Sequence, residues 1–421
     1  MKILLIGSGG REHALASALS LSGAEILAAP GNPGILTIAG KADVNPSDFP
    51  AVVEFCRGEK IDLVVVGPEQ PLADGLSDVL ANHGVPCFGP SKAAARLETS
   101  KDFAKNFMFR RGIPTARFAS FSADEAEGAT KFMREFPPPY VLKADGLAAG
   151  KGVIIAETLG EAEKALSEMF GGLFGQAGAR VVIEEFMPGD EASIFAITDG
   201  KDYVTLAPAQ DHKRAGEGDT GKNTGGMGAV APVGIVTPEV LRQVEREIIE
   251  PTLRGMAEEG ATYRGCLYIG LMIHNGCAKV VEFNCRFGDP ETQPVTSLFK
   301  GDFAKLLYSA ARGALDKSSV VSVAEGYACG VVLASGGYPD SFGKGYEILG
   351  LDEAGKFAKV FHAGTAEKDG KLVTSGGRVL CATGLGATLE EAVGQAYSAA
   401  DSIRFEGAYM RRDIGQKALK Y

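Results

Sequence analysis

The chain has 421 residues, of which 45% are hydrophobic and 23% are charged, so it can form roughly two to four globular units of ~150 residues each. Its formal net charge of −10 argues against a nonspecific nucleic-acid binder. No run approaches the ~20 apolar residues of a transmembrane helix, and the seven cysteines are scattered without a CxxC pair. We therefore expect a cytoplasmic protein with reduced thiols that binds neither nucleic acid nor membrane.

The first predicted element is a buried strand at residues 2–6 that leads into a glycine turn and the start of a helix. Such a turn presents backbone N–H groups to a phosphate. The third glycine of a dinucleotide fingerprint would fall at Glu12, and no acidic residue follows the second strand, residues 25–29. The pattern predicts a phosphate loop and no NAD site, with a turn that binds no ligand as the alternative.

The next strand, residues 61–66, ends in Gly67-Pro68-Glu69. Ligands of open α/β sheets lie at the carboxyl ends of the strands, so Glu69 is placed to accept hydrogen bonds from sugar hydroxyls. The repeated strand–helix pattern predicts one α/β domain over this part of the chain.

A helix pattern that ends at Gly112 carries Lys101 and Lys105 on one face. Lysines at this spacing are usually solvated, and nothing in the sequence distinguishes Lys105. The following glycine-rich stretch, residues 140–153, is not a Walker A loop, because three residues separate its first two glycines and glycine follows its second lysine. It predicts a hairpin that folds over a triphosphate, with Lys143 reaching in from the strand.

Two further stretches suit a nucleotide and an anion. A strand at residues 181–185 runs into Phe186 and Met187, a short apolar hinge against which a base could lie. The glycine-rich run at residues 210–229 contains two lysines and an arginine, and a loop of this length is usually functional or disordered. Its His212 is either an acid–base group or an ordinary hydrogen-bonding residue.

The stretch VVEFNCRFGDPETQ, residues 280–293, predicts a strand that ends in a turn. Strict alternation puts Glu282 and Asn284 on one face and Val281 and Phe283 on the other. A carboxylate beside a carboxamide offers the hard oxygen ligands that suit Mg²⁺ or Mn²⁺. Arg286, two residues after Asn284, would point to the same face and could hold a phosphate. The alternative is an edge strand whose polar face is only hydrated.

The order of GSGGREHALA, VVGPEQPL, VLKADGLAAGKGV, QDHKRAGEGDTGKNTGGMGA and EFNCRFGDPETQP resembles the glycinamide ribonucleotide synthetase family. These phosphoribosylamine–glycine ligases are ATP-grasp enzymes of purine biosynthesis, and the similarity runs from residue 1 to about residue 415. The resemblance implies a mixed α/β and α+β ATP-grasp fold. It implies a Rossmann-like N-terminal domain at 1–98, an ATP-grasp domain at 99–320 with a lid at about 120–190, and a small β-rich C-terminal domain at 321–421.

The reaction implied by the resemblance joins glycine to 5-phosphoribosylamine with ATP, giving glycinamide ribonucleotide, ADP and phosphate through glycyl phosphate. It implies ATP as a substrate, Mg²⁺ or Mn²⁺ as the metal, and a monomer or weak homo-oligomer. One alternative is an ATP-grasp ligase or carboxylase with another acceptor. A second alternative is a nucleotide-binding protein without turnover.

The resemblance also assigns residues by motif. The nucleotide-binding residues it implies are Lys101, Lys143, Gly150, Glu184, Glu185, Met187 and Glu191. The metal ligands are Glu282 and Asn284, and the residues at the reacting groups are Arg286, Asp211 and Lys213. The residues that would hold phosphoribosylamine are Gly9, Gly10, Glu69 and Arg378.

Overall fold

A computed structural model describes residues 1–147 and 152–420. Its first sheet is parallel and consists of β1 (Lys2–Gly7), β2 (Glu25–Pro30), β3 (Gly40–Lys41), β4 (Leu63–Val66) and β5 (Cys87–Phe88). The strand order is β3-β2-β1-β4-β5. The helices around it are α1 (Gly10–Leu21), α2 (Phe49–Gly58), α3 (Glu69–Asp74), α4 (Leu76–Asn82) and α5 (Lys92–Thr99).

Both faces of this sheet are buried, which explains its continuous apolar strands. Successive residues of β1 enter different cores: Leu4 and Ile6 pack on one side, and Ile3 and Leu5 on the other. The predicted Rossmann-like architecture of the N-terminal part is confirmed.

The second unit begins with α6 (Lys101–Arg111), which ends at Gly112 in the left-handed region, φ +66°, as predicted. It continues into a four-stranded antiparallel sheet with two helices. In chain order these elements are β6 (Phe118–Ser122), α7 (Ala126–Met133), β7 (Tyr140–Ala144), β8 (Val153–Ala156), α8 (Leu159–Glu168) and β9 (Arg180–Glu185). The sheet order is β6-β9-β7-β8, so β7 and β8 form the predicted hairpin.

The central part of the chain contains a second antiparallel sheet and the glycine-rich loop. The strands of this part of the chain are β10 (Asp190–Thr198), β11 (Tyr203–Thr205), β12 (Gln210–Asp211), β13 (Arg214–Gly216), β14 (Thr220–Asn223), β15 (Gly228–Ala231), β16 (Gly265–His274), β17 (Cys277–Asn284), β18 (Lys300–Gly301) and β19 (Val320–Ser322). Its helices are α9 (Pro238–Val244), α10 (Glu250–Glu258), α11 (Thr292–Leu298) and α12 (Phe303–Ala311). Four of these strands form the second antiparallel sheet, in the order β11-β10-β16-β17. The turn between β16 and β17 is the predicted Asn275-Gly276, with φ of +50° and +75°.

The C-terminal part adds β20 (Tyr327–Ser335), α13 (Leu351–Ala354), β21 (Lys359–His362), β22 (Thr365–Lys368), β23 (Lys371–Thr374), β24 (Arg378–Gly386), α14 (Leu389–Ser402) and β25 (Ala408–Tyr409). Its main sheet runs β12-β15-β20-β24-β21, so two strands from the central part belong to the C-terminal sheet. The predicted mixed fold with a β-rich C-terminal domain is confirmed. None of the helices in the described ranges is long and apolar enough to cross a membrane.

Candidate active site

A cleft of about 700 Å³ lies where the parallel sheet, the β6–β9 sheet, the central sheet and the glycine-rich loop meet. Each of these four parts contributes at least one charged side chain to the wall of the cleft. The predicted site residues that line it are Glu69, Lys101, Lys143, Glu184, Glu185, Met187, Glu191, Asp211, Lys213, Glu282, Asn284, Arg286 and Arg378. Residues far apart in the sequence therefore converge on one cavity.

A β-bulge on β17 determines which side chains face this cleft. Val281 is inserted between the residues that pair with neighbouring positions of β16. As a result Val280 and Phe283 are both buried in the core, and Val281, Glu282, Phe283 and Asn284 are all among the residues that line the cleft. The prediction that Glu282 and Asn284 share a face is confirmed. The bulge breaks the strict alternation that was expected, since Val280 and Phe283 share one core although they are three positions apart.

Glu282 and Asn284 offer oxygen atoms that the protein does not use, since neither side chain makes a hydrogen bond or ion pair with another described residue. Burial would raise the pKa of Glu282, but the charges of Lys213, Lys101, Lys143 and Arg286 lower it overall. The carboxylate is therefore ionised at neutral pH. No group of three or more His, Cys, Asp or Glu ligands occurs among the described residues. This donor set fits a magnesium-type ion that shares its coordination with phosphates and water.

The nucleotide side of the cleft contains a buried cluster of two lysines around one carboxylate. Glu184 on β9 lies 2.7 Å from the Nζ of Lys105 and 2.9 Å from the Nζ of Lys143. Lys143 also donates to the carbonyl of Val281 at 3.1 Å. Burial would raise the pKa of Glu184, but Lys143 and Lys105 lower it overall. The cluster thus ties the hairpin, α6 and β17 together beneath the cleft.

Other predicted nucleotide contacts lie along the same wall. Lys101 donates to the carbonyl of Gly146 at 3.5 Å, at the base of the hairpin, whereas Gly150 lies outside the described residues. Glu185 accepts a hydrogen bond from the backbone N–H of Arg117 at 3.0 Å, so it is fixed beside the apolar hinge. Met187 is nearly buried at 9% exposure and faces the same cavity.

The end of the cleft formed by the glycine-rich loop contains an ion pair, Lys213 with Glu191, and a separate buried acid, Asp211. Lys213 forms a 2.5 Å ion pair with Glu191. Asp211 on β12 has a buried Oδ1 with no hydrogen-bond partner in the described structure. Burial and the neighbouring charge of Glu291 raise the pKa of Asp211 well above its usual range. This arrangement presents an unsatisfied acid and a cation within one cavity.

Arg286 connects the central sheet to the N-terminal unit. Its Nε lies 3.2 Å from Glu69, and its Nη2 lies 2.9 Å from Glu98 near the end of α5. Burial would lower the pKa of Arg286, but the charges of Glu98 and Glu69 raise it overall. The guanidinium is thus held between two carboxylates from the N-terminal unit.

The glycines of the predicted phosphate loop lie beside the cleft, and of this loop and the first turn of α1 it is Arg11 that lines it. The N–H of Gly9 donates to the side chain of Glu12 at 2.5 Å, so this donor is already occupied. Gly10 begins α1, where a Cβ would lie 2.6 Å from the side chain of Gln293. Arg378 of β24 reaches the cleft from the C-terminal sheet and pairs with Asp289 at 3.0 Å.

His212 lies outside the cleft and is bonded to the C-terminal segment. Its Nε2 accepts from the N–H of Gly415 at 3.3 Å, and its exposure is 1%. Burial lowers its pKa to about 4, so the imidazole is neutral at pH 7. The structure favours the predicted alternative of an ordinary hydrogen-bonding residue.

Comparison with known proteins identifies the family. Models of the N, ATP-grasp and C domains of phosphoribosylglycinamide synthetase match residues 1–98, 99–292 and 328–417. Curated phosphoribosylamine–glycine ligases of Allochromatium vinosum and Haemophilus influenzae are each 51% identical over 100% of this chain and 99% of their own length. The chain belongs to the phosphoribosylglycinamide synthetase family. It is an ATP-dependent carbon–nitrogen ligase of purine biosynthesis.

Solved structures agree with this membership. The crystal structure of phosphoribosylamine–glycine ligase from Thermotoga maritima has a TM-score of 0.87 and 39% identity, covering 98% of this chain and 100% of that one. The biotin carboxylase domain of a Hydrogenobacter thermophilus 2-oxoglutarate carboxylase, solved with MgADP and bicarbonate, has a TM-score of 0.71 at 18% identity. The match covers 97% of this chain and 91% of the carboxylase domain, and it supports the fold alone.

Two residues of this synthetase-family site were missed by the sequence reasoning. Lys105 was expected to be solvated, yet it is 2% exposed and bonded to Glu184 and Thr115. Its position one turn after Lys101 gave no signal, because lysines at this spacing are usually solvated. Glu98 gave no signal at all, because its role depends on the contact of α5 with the turn after β17.

Proposed function

We propose that the cleft activates the carboxylate of glycine with ATP and passes the glycyl group to the amine of 5-phosphoribosylamine. A carboxylate is a poor acyl donor, so its oxygen must first attack the γ-phosphorus to give glycyl phosphate and ADP. The amine then attacks the carbonyl carbon, and phosphate leaves. The observation that carries the proposal is the ionised Glu282 beside Asn284, in the same cavity as the four cationic side chains whose charges lower its pKa. Catalysis of this kind consists mainly of positioning and charge neutralisation.

The triphosphate would lie along the wall formed by Lys101, Lys105 and Lys143. Glu184 holds the last two ammonium groups at 2.7 and 2.9 Å and so fixes their positions before the nucleotide arrives. The base would lie against Met187 and Glu185, with Glu191 near the ribose. We include Lys105 in this group because a buried lysine beside a nucleotide cleft compensates phosphate charge.

Glu282 and Asn284 would hold Mg²⁺ or Mn²⁺, which would neutralise charge on the β- and γ-phosphates. Two protein ligands are typical of magnesium at a nucleotide, where phosphates and water complete the coordination.

Glycine would bind at the acidic end of the cleft as a zwitterion. Lys213 suits its carboxylate, while Asp211, whose Oδ1 lacks a partner in the described structure, suits its ammonium group. Arg286 would lie near the transferred phosphate. The carboxylate of glycine then meets the charge of Lys213, and its ammonium group donates a hydrogen bond to the unpartnered oxygen of Asp211.

Phosphoribosylamine would bind at the N-terminal unit. Glu69, the first residue of α3 after β4, suits the ribose hydroxyls, and Gly9, Gly10 and Arg378 lie on the side where its phosphate would be held. The domain limits at residues 98 and 320, with a lid at about 120–190, are part of this proposal. We also propose a cytoplasmic monomer or weak homo-oligomer without nucleic-acid or membrane partners, supported by seven free cysteines and the acidic net charge.

The test measures ADP release with Mg-ATP, glycine and phosphoribosylamine generated in situ, and then omits each substrate in turn. The expected result is release that requires both, together with a product of the mass of glycinamide ribonucleotide. Release with bicarbonate or formate in place of glycine would keep the fold and overturn the substrate assignment.

A further inference from the structure

Arg286 has two carboxylate partners, and they differ in how they are held. Glu69 is partly exposed to the cleft and is proposed above to bind ribose hydroxyls. Glu98 has a side chain only 6% exposed, on the helix that ends the N-terminal unit. A partner that also binds substrate cannot keep a guanidinium fixed throughout the reaction. The buried partner can.

Glu98 uses both of its oxygens on the turn that follows the metal-binding strand. Its Oε2 accepts from the backbone N–H of Cys285 at 2.7 Å, and its Oε1 lies 2.9 Å from Nη2 of Arg286. These contacts fix the residue directly after Asn284 and the side chain of the next one. Hydrogen bonds to a charged acceptor are the strong ones, so this carboxylate restricts both groups.

We infer that Glu98 is a positioning residue that holds Arg286 toward the transferred phosphate and keeps Arg286 from closing fully on Glu69. The inference rests on the proposed function of Arg286 and goes beyond it, because it gives Glu98 a role that is exerted through Arg286. Without the charge of Glu98, Arg286 would form its ion pair with Glu69 alone. That pair would compete with the ribose hydroxyls and move the guanidinium away from the phosphate.

The test is a double-mutant cycle with Glu98→Gln and Arg286→Lys. E98Q keeps an acceptor for the N–H of Cys285 but removes the negative charge. We expect kcat to fall about 10- to 100-fold, as for a catalytic group misplaced by about 1 Å, and KM for phosphoribosylamine to rise. KM for ATP should change by less than about twofold. The control Glu325→Gln removes the charge from an exposed pair with Lys300 and should match wild type.

The cycle separates positioning from a structural role. If Glu98 acts through Arg286, adding E98Q to R286K causes little further loss of kcat. Multiplicative losses, or a rise in KM for ATP equal to that for phosphoribosylamine, would overturn the inference. If E98Q does not fold cooperatively, E98D replaces it, since the charge is kept and only the reach is shortened. Its loss should again vanish in the R286K background.

The experiments distinguish a failure of the proposed function from a failure of the Glu98 inference. The first appears in the wild-type enzyme as ADP release that does not require glycine and phosphoribosylamine. Failure of the Glu98 inference appears only as a variant pattern in an enzyme whose wild-type form ligates normally.

Discussion

Individual charges in the cleft are stabilised by other charges and not by solvent. Glu184 faces two lysines, Arg286 faces two glutamates, and Glu282 is surrounded by cations without a direct partner in the described structure. Because buried charges are costly when a partner is removed, substitutions here affect both activity and stability. The residues must therefore be tested with readouts that distinguish the two effects.

Replacement of Glu282 by alanine should remove ligation while ATP still binds weakly. The reason is that the carboxylate would anchor the metal at the reacting phosphates, whereas the lysines still attract the nucleotide. We expect kcat to fall by at least ~10²–10³-fold, measured by ADP release, with nucleotide binding followed by calorimetry. Glu367→Ala, an exposed site on β22, is the control. Turnover retained at saturating Mg²⁺ would remove the metal assignment.

Nucleotide binding should weaken as the pH rises above about 8. Burial lowers the pKa of Lys105 to about 8, and the charge of Lys143 acts in the same direction, against that of Glu184. The charged form therefore dominates below this pH and is lost above it, so the Kd for Mg-ATP should rise up to about tenfold per pH unit between 8 and 9.5. Lys105→Met should bind more weakly, with a flat profile. A constant wild-type Kd would contradict the role of Lys105.

Sequence reasoning at this scale could identify residues whose types suggest chemistry, such as Glu282, Asn284 and Lys143. It could not predict that Lys105 is buried, since burial depends on how α6 packs against β9 and β17. It could not find Glu98 for the same reason. The pairs that fix these residues join positions 79 and 187 residues apart.

Among the elements, the glycine-rich loop is held at both ends by strands and is closely packed at Gly226. It runs from β12 to β15, which pair with each other, and it contains the β13–β14 hairpin. Gly226 has φ +110°, and a Cβ there would lie 2.4 Å from Pro290 and 2.6 Å from Asp211. The loop thus reaches the proposed glycine site through a position that only glycine fits.

Gly226→Ala should displace Asp211 and raise KM for glycine roughly tenfold, because backbone strain of 1–3 kcal/mol is added beside the acid. The matched variant is Gly218→Ala in the same loop, which has φ +65° and open space around it. It should leave KM for glycine near the wild-type value. Steady-state kinetics with glycine and ATP varied separately give the comparison, and equal effects of the two substitutions would contradict it.

Elements with strong local signals were predictable, and irregular ones were not. The helix stop at Gly112 and the Asn275-Gly276 turn follow from backbone preferences alone. The bulge at Val281 has no local signature, so strict alternation could not predict that Val280 and Phe283 share one core. Strand β15 pairs with β20 across nearly 100 residues of intervening chain, which no periodicity reveals.

For the whole molecule, the main consequence of this topology is that the C-terminal sheet is built from two parts of the chain. Val230 of β15 packs in the same core as Val331 and Leu380. Arg411, which is fully buried, pairs with Asp219 of the glycine-rich loop at 2.9 Å. The C-terminal part therefore supports the loop that reaches the cleft.

A chain truncated after residue 320 should lose ligation and expose apolar surface, because β15 loses its partner β20. Size-exclusion chromatography and binding of a hydrophobic dye would measure this. Residues 321–421 expressed separately should co-purify with the truncated chain. As a control, cleavage at the exposed Asp369-Gly370 turn should preserve activity. An active, monodisperse 1–320 fragment would contradict the shared sheet.

The shared sheet also limits how such enzymes can be recombined. A chimaera with a single crossover near residue 320 would join β12 and β15 of one parent to β20 of another. The interface between the two parental segments would then lie within a buried sheet and beside Arg411, where mismatched side chains cannot be solvated. An exchange of residues 210–231 together with the C-terminal part would keep all strands of the C-terminal sheet from the same parent. Exchangeable blocks in this fold are therefore discontinuous in the gene.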